Sequence, residues 1–173
     1  MFSNRHESHF KSAFLMFREN PIFGVGPKLF RVMCDEEKYE IDRWSCSTHP
    51  HNTYVQLLAE TGLVGILFIL IPVFFFIKQV LMQIVSKIKK KKLPLSDYQI
   101  CIIAAFFITL WPIAPSQNFF NNWISIIYYL PVGFMLHSFY KKYNNNNNYY
   151  YYYLTLRLLR NTFGILFFFA LSI

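Results

Sequence analysis

The sequence contains few charged residues and no uninterrupted apolar stretch at its N-terminus. Charged side chains make up 15% of the 173 residues, whereas hydrophobic residues make up 54% and aromatic residues 20%. This balance favours a membrane protein over a soluble domain. Residues 1–20 are charged and amphipathic, which excludes a cleavable signal peptide. Because no element precedes the first polar segment to carry it across a membrane, we expect the chain to be the C-terminal part of a larger protein whose earlier spans are missing or encoded separately.

A nucleotide-binding fingerprint is also lacking. The run Gly24-Val25-Gly26-Pro27 has no preceding strand and no third glycine, and Pro27 has no backbone N–H to donate to a phosphate. The run therefore predicts a tight turn that sets the direction of its loop.

The formal net charge is +8, but the positive charge is unevenly distributed. Residues 1–48 carry equal numbers of acidic and basic side chains, and most of the excess lies in Lys87 and the run Lys89 to Lys92, between two apolar segments. Lysines in that position are the positive-inside signal of a membrane protein rather than a nucleic-acid patch. We therefore expect membrane lipids, and no nucleic acid, among the partners.

Three apolar segments are candidates to cross the bilayer, which takes about 20 residues per helix. They run from about Gly62 to Val85, from about Tyr98 to Ala114 and from about Trp123 to Phe139. The first and third segments are followed by lysines, which places those ends in the cytoplasm. Residues 1–61 and the short loop 115–122 then lie on the outer side.

These features predict an all-α protein: a polytopic membrane helix bundle with a periplasmic loop carrying short helices. The expected domains are 1–61, the loop region; 62–142, three transmembrane helices; and 143–173, a low-complexity linker and a short apolar tail. The linker contains runs of asparagine and tyrosine, and the tail is too short to span a bilayer alone.

Local patterns organise the outer region. Asn4 followed by Glu7 suggests a capped helix start, and Phe10, Ala13, Phe14 and Phe17 repeat at helical spacing up to a helix end at Asn20-Pro21. Cys34 and Cys46 lie in the irregular polar loop 31–48. They can pair if this loop is in an oxidising compartment, but sequence spacing leaves the pairing open. Cys101, in an apolar segment, is expected to be a core residue.

A titratable group of residues, His49-Pro50-His51-Asn52, directly precedes the first span. Imidazoles exchange protons near neutral pH, so proton transfer can take place where the chain leaves water for lipid. A helix beginning near Asn52 would continue into Gly62 and Gly65, which allow close packing against a neighbouring helix.

The order of these motifs resembles the O-antigen ligase/polymerase family of bacterial membrane glycosyltransferases. The resemblance rests on His51-Asn52, nine further residues, Gly62 and then Gly65, preceded by Arg5 and by the run from Pro21 to Pro27, and it covers roughly residues 5–140. It implies transfer of a glycan from an undecaprenyl-diphosphate carrier to a sugar or lipid acceptor. The implied location is the bacterial inner membrane, multi-pass, with the active-site loop facing the periplasm.

The resemblance also implies roles for individual residues. His51 would be the general base, while Arg5, and less directly Arg43, would bind the donor's diphosphate. Asn52 would orient the imidazole or cap the helix. His49 would be the alternative base, or would form part of a metal site with His51 and Glu60. Because third and fourth ligands are not evident for that site, no metal and no cofactor is expected.

Several functions remain open at this stage. The chain fits the C-terminal part of a ligase acting on lipid A-core, or of a polysaccharide polymerase or a protein oligosaccharyltransferase of the same family. Activity would then require the missing N-terminal half as a partner. The alternative from another class is a non-catalytic membrane remnant.

Overall fold

The computed structural model describes residues 3–121 and 130–139 and, singly, residues 157, 160 and 161. Helices α1 (Asn4–Glu19), α2 (Phe30–Met33), α3 (Thr53–Ile88) and α4 (Asp97–Thr109) follow in order, and α5 is Leu130–Phe139. Strands are absent from the described residues. The all-α class is confirmed at this level, whereas a polytopic bundle is not established, because the described residues contain one helix long and apolar enough to cross a membrane.

That helix is α3, with 36 residues and a mean hydropathy of 2.4 over its most apolar stretch. Gly62 interrupts it with φ 62° and ψ −155°, so residues 53–61 form a short polar helix and residues 63–88 form the apolar span. At about 1.5 Å per residue, the latter exceeds a bilayer core of about 30 Å. Leu67 and Phe74 are exposed on it, as expected of side chains that face lipid.

The second predicted span is shorter than expected. The helix α4 ends at Thr109 instead of Ala114, and its 13 residues extend only about 20 Å. Pro112 explains the early end, because the residue before a proline avoids the helical region and proline cannot donate a helical hydrogen bond. In the third predicted span, residues 130–139 are helical as expected, while residues 122–129, like the tail 162–173, lie outside the described residues.

The described residues separate into two compact units. One, here called the polar unit, consists of residues 3–67 and 110–121, and the other, the apolar unit, of residues 68–109 and 130–139. Aromatic contacts form the core of the apolar unit: the rings of Phe76 and Phe106 stack at 4.9 Å, and those of Phe75 and Phe139 meet edge-on at 5.4 Å.

The polar unit is built around a small core between α1, α2 and α3. The buried residues of this core are Ala13, Met16, Phe30, Cys34, Tyr39 and Ala59. Cys34 is joined to Cys46 by a disulfide with a Cα–Cα distance of 5.1 Å, so the pairing that the sequence left open is present. It ties the irregular loop that follows α2 to this core.

The N-terminus of α1 differs from the sequence-based prediction. Ser3, not Asn4, occupies the N-cap position, and it makes no side-chain capping hydrogen bond. Glu7 pairs instead with Lys11 on the next turn, at 2.8 Å. The predicted end of α1 is confirmed, since Asn20 is its C-cap.

The glycine-containing loop after α1 lies directly on the backbone of α3. Val25 and Gly26 donate backbone hydrogen bonds to the carbonyls of Ala59 and Glu60, both at 2.9 Å, and Leu63 donates to Pro21 at 2.9 Å. A Cβ on Gly24 would approach the Glu60 carbonyl carbon to 2.4 Å. The turn predicted from the sequence is therefore a helix-docking loop, and Gly24 is required for its close approach.

Candidate functional site

Four of the five histidines of the chain converge in the polar unit. We call His6, His9, His49 and His51 the histidine cluster. The His51 ring lies 5.5 Å from each of the rings of His6 and His9, and 4.2 Å from that of His49. Two of these imidazoles come from α1 and two from the segment before α3, so the cluster joins parts of the chain that are far apart in sequence.

His51 has an unusual backbone conformation. Its φ of 58° lies in the left-handed region, which costs a non-glycine residue about 1–2 kcal/mol. Its carbonyl accepts a hydrogen bond from the Ser116 N–H at 3.0 Å. Such strain is concentrated at functional sites in proteins, and it makes His51 a candidate functional residue.

His49 is less suited to act as the base, because both of its ring nitrogens are engaged. Its Nε2 is 3.0 Å from the Ser116 carbonyl, and its Nδ1 is 2.9 Å from the Thr48 hydroxyl. A carbonyl only accepts, so Nε2 carries the proton and Nδ1 accepts from Thr48. In contrast, His51 has no ring hydrogen bond to any residue within 3–121 or 130–139.

The surroundings of His9 and His51 favour their uncharged rings. Burial, followed by the neighbouring His6 imidazole, lowers the pKa of His51. Burial also lowers the pKa of His9, with further lowering by His51, His6 and His49 and an opposing contribution from Asp42. An imidazole with a lowered pKa remains able to accept a proton at mildly acidic pH.

Asn52 caps α3. Its Oδ1 accepts hydrogen bonds from the N–H groups of Tyr54 at 3.0 Å and Val55 at 3.1 Å, and its Nδ2 donates to the Pro112 carbonyl at 2.7 Å. Of the two roles left open by the sequence, these contacts are those of the helix cap. A substrate-binding role for Asn52 stays a prediction, as it does for His49.

A buried polar stripe continues along α3 through Gln56 and Glu60. The Gln56 Nε2 donates to Glu60 at 2.9 Å and to the Asn118 side chain at 2.8 Å, while its Oε1 accepts from the Phe119 N–H at 2.9 Å. Both N–H groups and the oxygen of the Gln56 amide thus have hydrogen-bond partners. The stripe fixes the segment 110–121 next to the histidine cluster.

Glu60 connects this stripe to the docking loop. One carboxylate oxygen accepts the Phe30 N–H at 3.0 Å, and the other accepts from Gln56. These hydrogen bonds favour the charged form, but burial opposes it more strongly, and the net effect raises the pKa of Glu60 to about 7. Glu60 therefore keeps its proton to a higher pH than an exposed glutamate does.

Arg5 and Arg43 lie against the same indole ring. Their guanidinium carbons are 4.0 Å and 4.8 Å from the ring centroid of Trp44. Stacking restrains a guanidinium while its N–H edges remain available for hydrogen bonds. The structure thus brings together the two predicted phosphate ligands, one of which precedes His6 of the cluster.

In the alternative metal site, which the sequence did not favour, the Glu60 carboxylate is already engaged, because it accepts hydrogen bonds from the Phe30 N–H and from Gln56. Across the described ranges, Cys34, Asp35 and Cys46 place potential ligand atoms within 4.8 Å of one another. The disulfide occupies both sulfurs, so this group does not supply the thiolates that a metal would require.

Sequence reasoning missed several members of this site. His6 and His9 carried a usable signal, since a spacing of three residues places two side chains on one face of a helix. Trp44, Ser116 and Asn118 offered no comparable signal, because their partners are distant in sequence.

Fold and site together define a helical protein in which a histidine-rich polar site directly precedes a membrane-length apolar helix. The model of the O-antigen ligase family matches residues 2–70, and this confirms the resemblance over the segment that contains Arg5, Arg43, His51 and Gly65. The match over residues 2–70 supports a ligase/polymerase-like family of membrane glycosyltransferases. No curated protein and no solved structure matches the chain.

Proposed function

We propose that the chain is part of a bacterial membrane glycosyltransferase that transfers a glycan from undecaprenyl diphosphate to a lipid A-core sugar or a similar acceptor, with His51 as general base. The observation that carries the proposal is the position of His51. Its ring nitrogens make no hydrogen bond to the described residues, its backbone is strained, and it lies within the family-matched segment shortly before the apolar span.

In the proposed reaction, His51 removes the proton from the acceptor hydroxyl as that oxygen attacks the anomeric carbon of the donor. The new glycosidic bond forms as the bond from the anomeric carbon to the diphosphate oxygen breaks. The electron pair leaves with undecaprenyl diphosphate, and His51 later releases its proton to water. The lowered pKa of His51 supports this role, because the base must be uncharged before each turnover.

Arg5 and Arg43 are the proposed ligands of the diphosphate. Two restrained guanidinium groups match the charge of a diphosphate and stabilise the negative charge that develops as it departs. Their common contact with Trp44 supports a shared role, since it keeps two positive groups near each other.

An apolar groove in the polar unit supports a lipid-linked donor. It has a volume of about 350 Å³ and lies between α1 and the first turns of α3. Its lining residues are Glu7, Phe10, Lys11, Ala13, Phe14, Phe17, Val55 and Leu58. We propose that part of the isoprenoid chain occupies this groove, because its walls are apolar and it shares α1 with Arg5.

The proposed location is the inner membrane, with the polar unit in the periplasm. The Cys34–Cys46 disulfide favours an oxidising compartment for this unit. The lysine run that follows the apolar span favours the cytoplasm for the opposite end of α3.

The test replaces His51 in the chromosomal copy and measures glycan transfer in isolated membranes. We expect His51→Gln to lower transfer by about 10²–10⁴-fold, the usual contribution of a general base, while membrane insertion and the disulfide are retained. His137→Gln is the matched control, since His137 is exposed and belongs to α5. Transfer that survives in the His51 variant would refute the proposed role, and the mass of the wild-type product identifies the acceptor.

A further inference from the structure

We infer that the docking loop, residues 20–29, is a second membrane anchor beside the apolar span, with the side chains of Ile22 and Phe23 inserted among the lipids. The partner of this surface is the edge of the lipid bilayer. The inference requires that the apolar span crosses a membrane. It does not depend on the role of His51 or on glycan transfer.

The first observation concerns the backbone groups at the break in α3. In an unbroken α-helix, the carbonyls of Ala59 and Glu60 accept hydrogen bonds from the N–H groups four residues later, at Leu63 and Val64. The conformation of Gly62 breaks the helix between these carbonyls and these N–H groups. Four backbone groups in the middle of a long helix therefore need other partners.

The docking loop supplies a partner for each of the four groups. Two loop carbonyls accept from the freed N–H groups, and two loop N–H groups donate to the freed carbonyls. These hydrogen bonds are Leu63 to Pro21 at 2.9 Å, Val64 to Ile22 at 3.2 Å, Val25 to Ala59 at 2.9 Å and Gly26 to Glu60 at 2.9 Å. The loop thereby replaces the helical bonds that the break removes, and water is not needed to satisfy them.

This complete pairing fits a helix break at the edge of a membrane. In an aqueous site, water can satisfy the free groups at a helix end. Within a bilayer, water is lacking, and irregular backbone is tolerated only where protein satisfies and covers it. The docking loop provides that protein cover, so the break and the loop can lie at the depth where lipid begins.

The distribution of charge along α3 places the break near that depth. Residues 61–77 contain no charged side chain, and Lys78 is the first charged residue that follows. A helix crosses the bilayer core with about 20 residues, and a charge inside the core is costly. A crossing that keeps Lys78 near the far surface must therefore begin close to Gly62.

The exposed side chains of the loop are large and apolar. Phe23 is 73% exposed and Ile22 is 57% exposed, and residues 20–27 contain no charged side chain. At the start of the apolar span, Leu63 and Leu67 are also exposed. Because the loop is hydrogen-bonded to Leu63 and its neighbour, the loop extends the exposed apolar surface of the span.

This continuity favours lipid over a second protein as the occupant of the surface. The exposed side chains of a membrane-crossing helix face lipid, and the loop lies beside its first turn. The charged residue of the loop is Lys28. A lysine can place its aliphatic stem along lipid while its ammonium group stays in water, so this charge is compatible with a membrane edge.

The test measures the surroundings of position 23 by electron paramagnetic resonance. The full chain with Cys101→Ser and Phe23→Cys is labelled with a nitroxide and reconstituted in vesicles of phosphatidylethanolamine and phosphatidylglycerol. Oxygen is concentrated in lipid, whereas a nickel chelate stays in water. The collision rates of the label with these two reagents therefore distinguish lipid, water and a covering protein.

Two matched labels serve as references in the same Cys101→Ser background. Leu67→Cys, on the exposed side of the span, reports lipid, and Glu37→Cys, exposed in the polar unit, reports water. The native disulfide is kept oxidised, so Cys34 and Cys46 are not labelled, and its persistence verifies that the polar unit is folded. The loop bonds to α3 through its backbone, so cysteine at the exposed position 23 leaves these bonds in place.

We expect the label at position 23 to collide more often with oxygen than with the nickel chelate, as at position 67, and the label at position 37 to show the reverse. Ile22→Cys should give the same result as Phe23→Cys and provides the test alone if Phe23→Cys does not fold. Preferential collision with nickel at the loop would overturn the inference. Low collision rates with both reagents would overturn it as well, because protein would then cover the loop.

The result is separate from that of the proposed function. Lipid contact at position 23 stands even if glycan transfer survives in His51→Gln, and loss of transfer in that variant does not place the loop in lipid. Nickel access at position 67 would show that the span itself is not in lipid, and the inference would then be wrong.

Discussion

Replacing Gly24 by alanine should detach the docking loop from α3. Gly24 has φ 67°, and an added Cβ would lie 2.4 Å from both the Glu60 carbonyl carbon and the Thr61 nitrogen. These are backbone atoms of a helix, so they cannot rotate aside as a flexible side chain can. The loop has to move instead.

The magnitude can be worked out from the contacts that would be lost. A left-handed conformation costs an alanine about 1–2 kcal/mol. Lifting the loop also breaks the hydrogen bonds from Val25 and Gly26 to α3, each worth about 1 kcal/mol. We therefore expect Gly24→Ala to lower the free energy of unfolding of the polar unit by roughly 3–4 kcal/mol.

The assay is a denaturant titration of the detergent-solubilised chain, combined with hydrogen exchange of residues 20–29. Gly133→Ala is the matched control, because a Cβ at Gly133 has no heavy atom within 4 Å and alanine favours a helix over glycine by up to about 1 kcal/mol. If Gly24→Ala were as stable as the control and equally protected from exchange, the loop would not depend on this close approach.

Two further predictions concern the same unit. The pKa of Glu60 is raised to about 7 from 4.5, so the folded state holds a proton that the unfolded state has released between these pH values. As pH rises across this range, the protein loses roughly 3 kcal/mol of stability. Unfolding titrations of Glu60→Gln should lack this loss, and an unchanged pH dependence would exclude Glu60 as its source. The Cys34–Cys46 bond closes a loop with a sequence separation of 12, worth about 3 kcal/mol of chain entropy. Because the disulfide blocks both of its cysteines, maleimide labelling of the denatured, unreduced chain should modify Cys101 alone. Labelling of all three cysteines would show that the disulfide is absent.

Local signals account for the parts of the fold that the sequence predicted correctly. Asn20-Pro21 ends α1, and Asn52 begins α3, because a proline and a capping side chain act on their immediate neighbours. The same kind of signal failed at Asn4, where Glu7 bonds forward to Lys11 instead of back to the helix start. At the end of α4 the prediction from hydropathy failed instead, because the helix ends at Thr109, before Pro112, although the apolar run continues to Ala114.

The candidate site was predictable only in part. The order of Arg5, the glycine loop and His51 identified the family segment, and the structure then placed Arg5 and Arg43 on one indole ring. The sequence did not reveal that the segment 110–121 belongs to the site. Its contacts are made by backbone N–H and carbonyl groups and by the Asn118 side chain, and none of these has a distinctive sequence pattern.

The sequence by itself determined the membrane character, the long apolar span and the family motif, because hydropathy, charge placement and short motifs are properties of consecutive residues. Tertiary structure alone decided which histidines surround His51, and that Gln56 meets Asn118 across 62 positions of sequence. Such contacts depend on how distant segments of the chain pack against each other. The proposed base, His51, can therefore be recognised from the sequence, whereas only the fold determines which residues surround it.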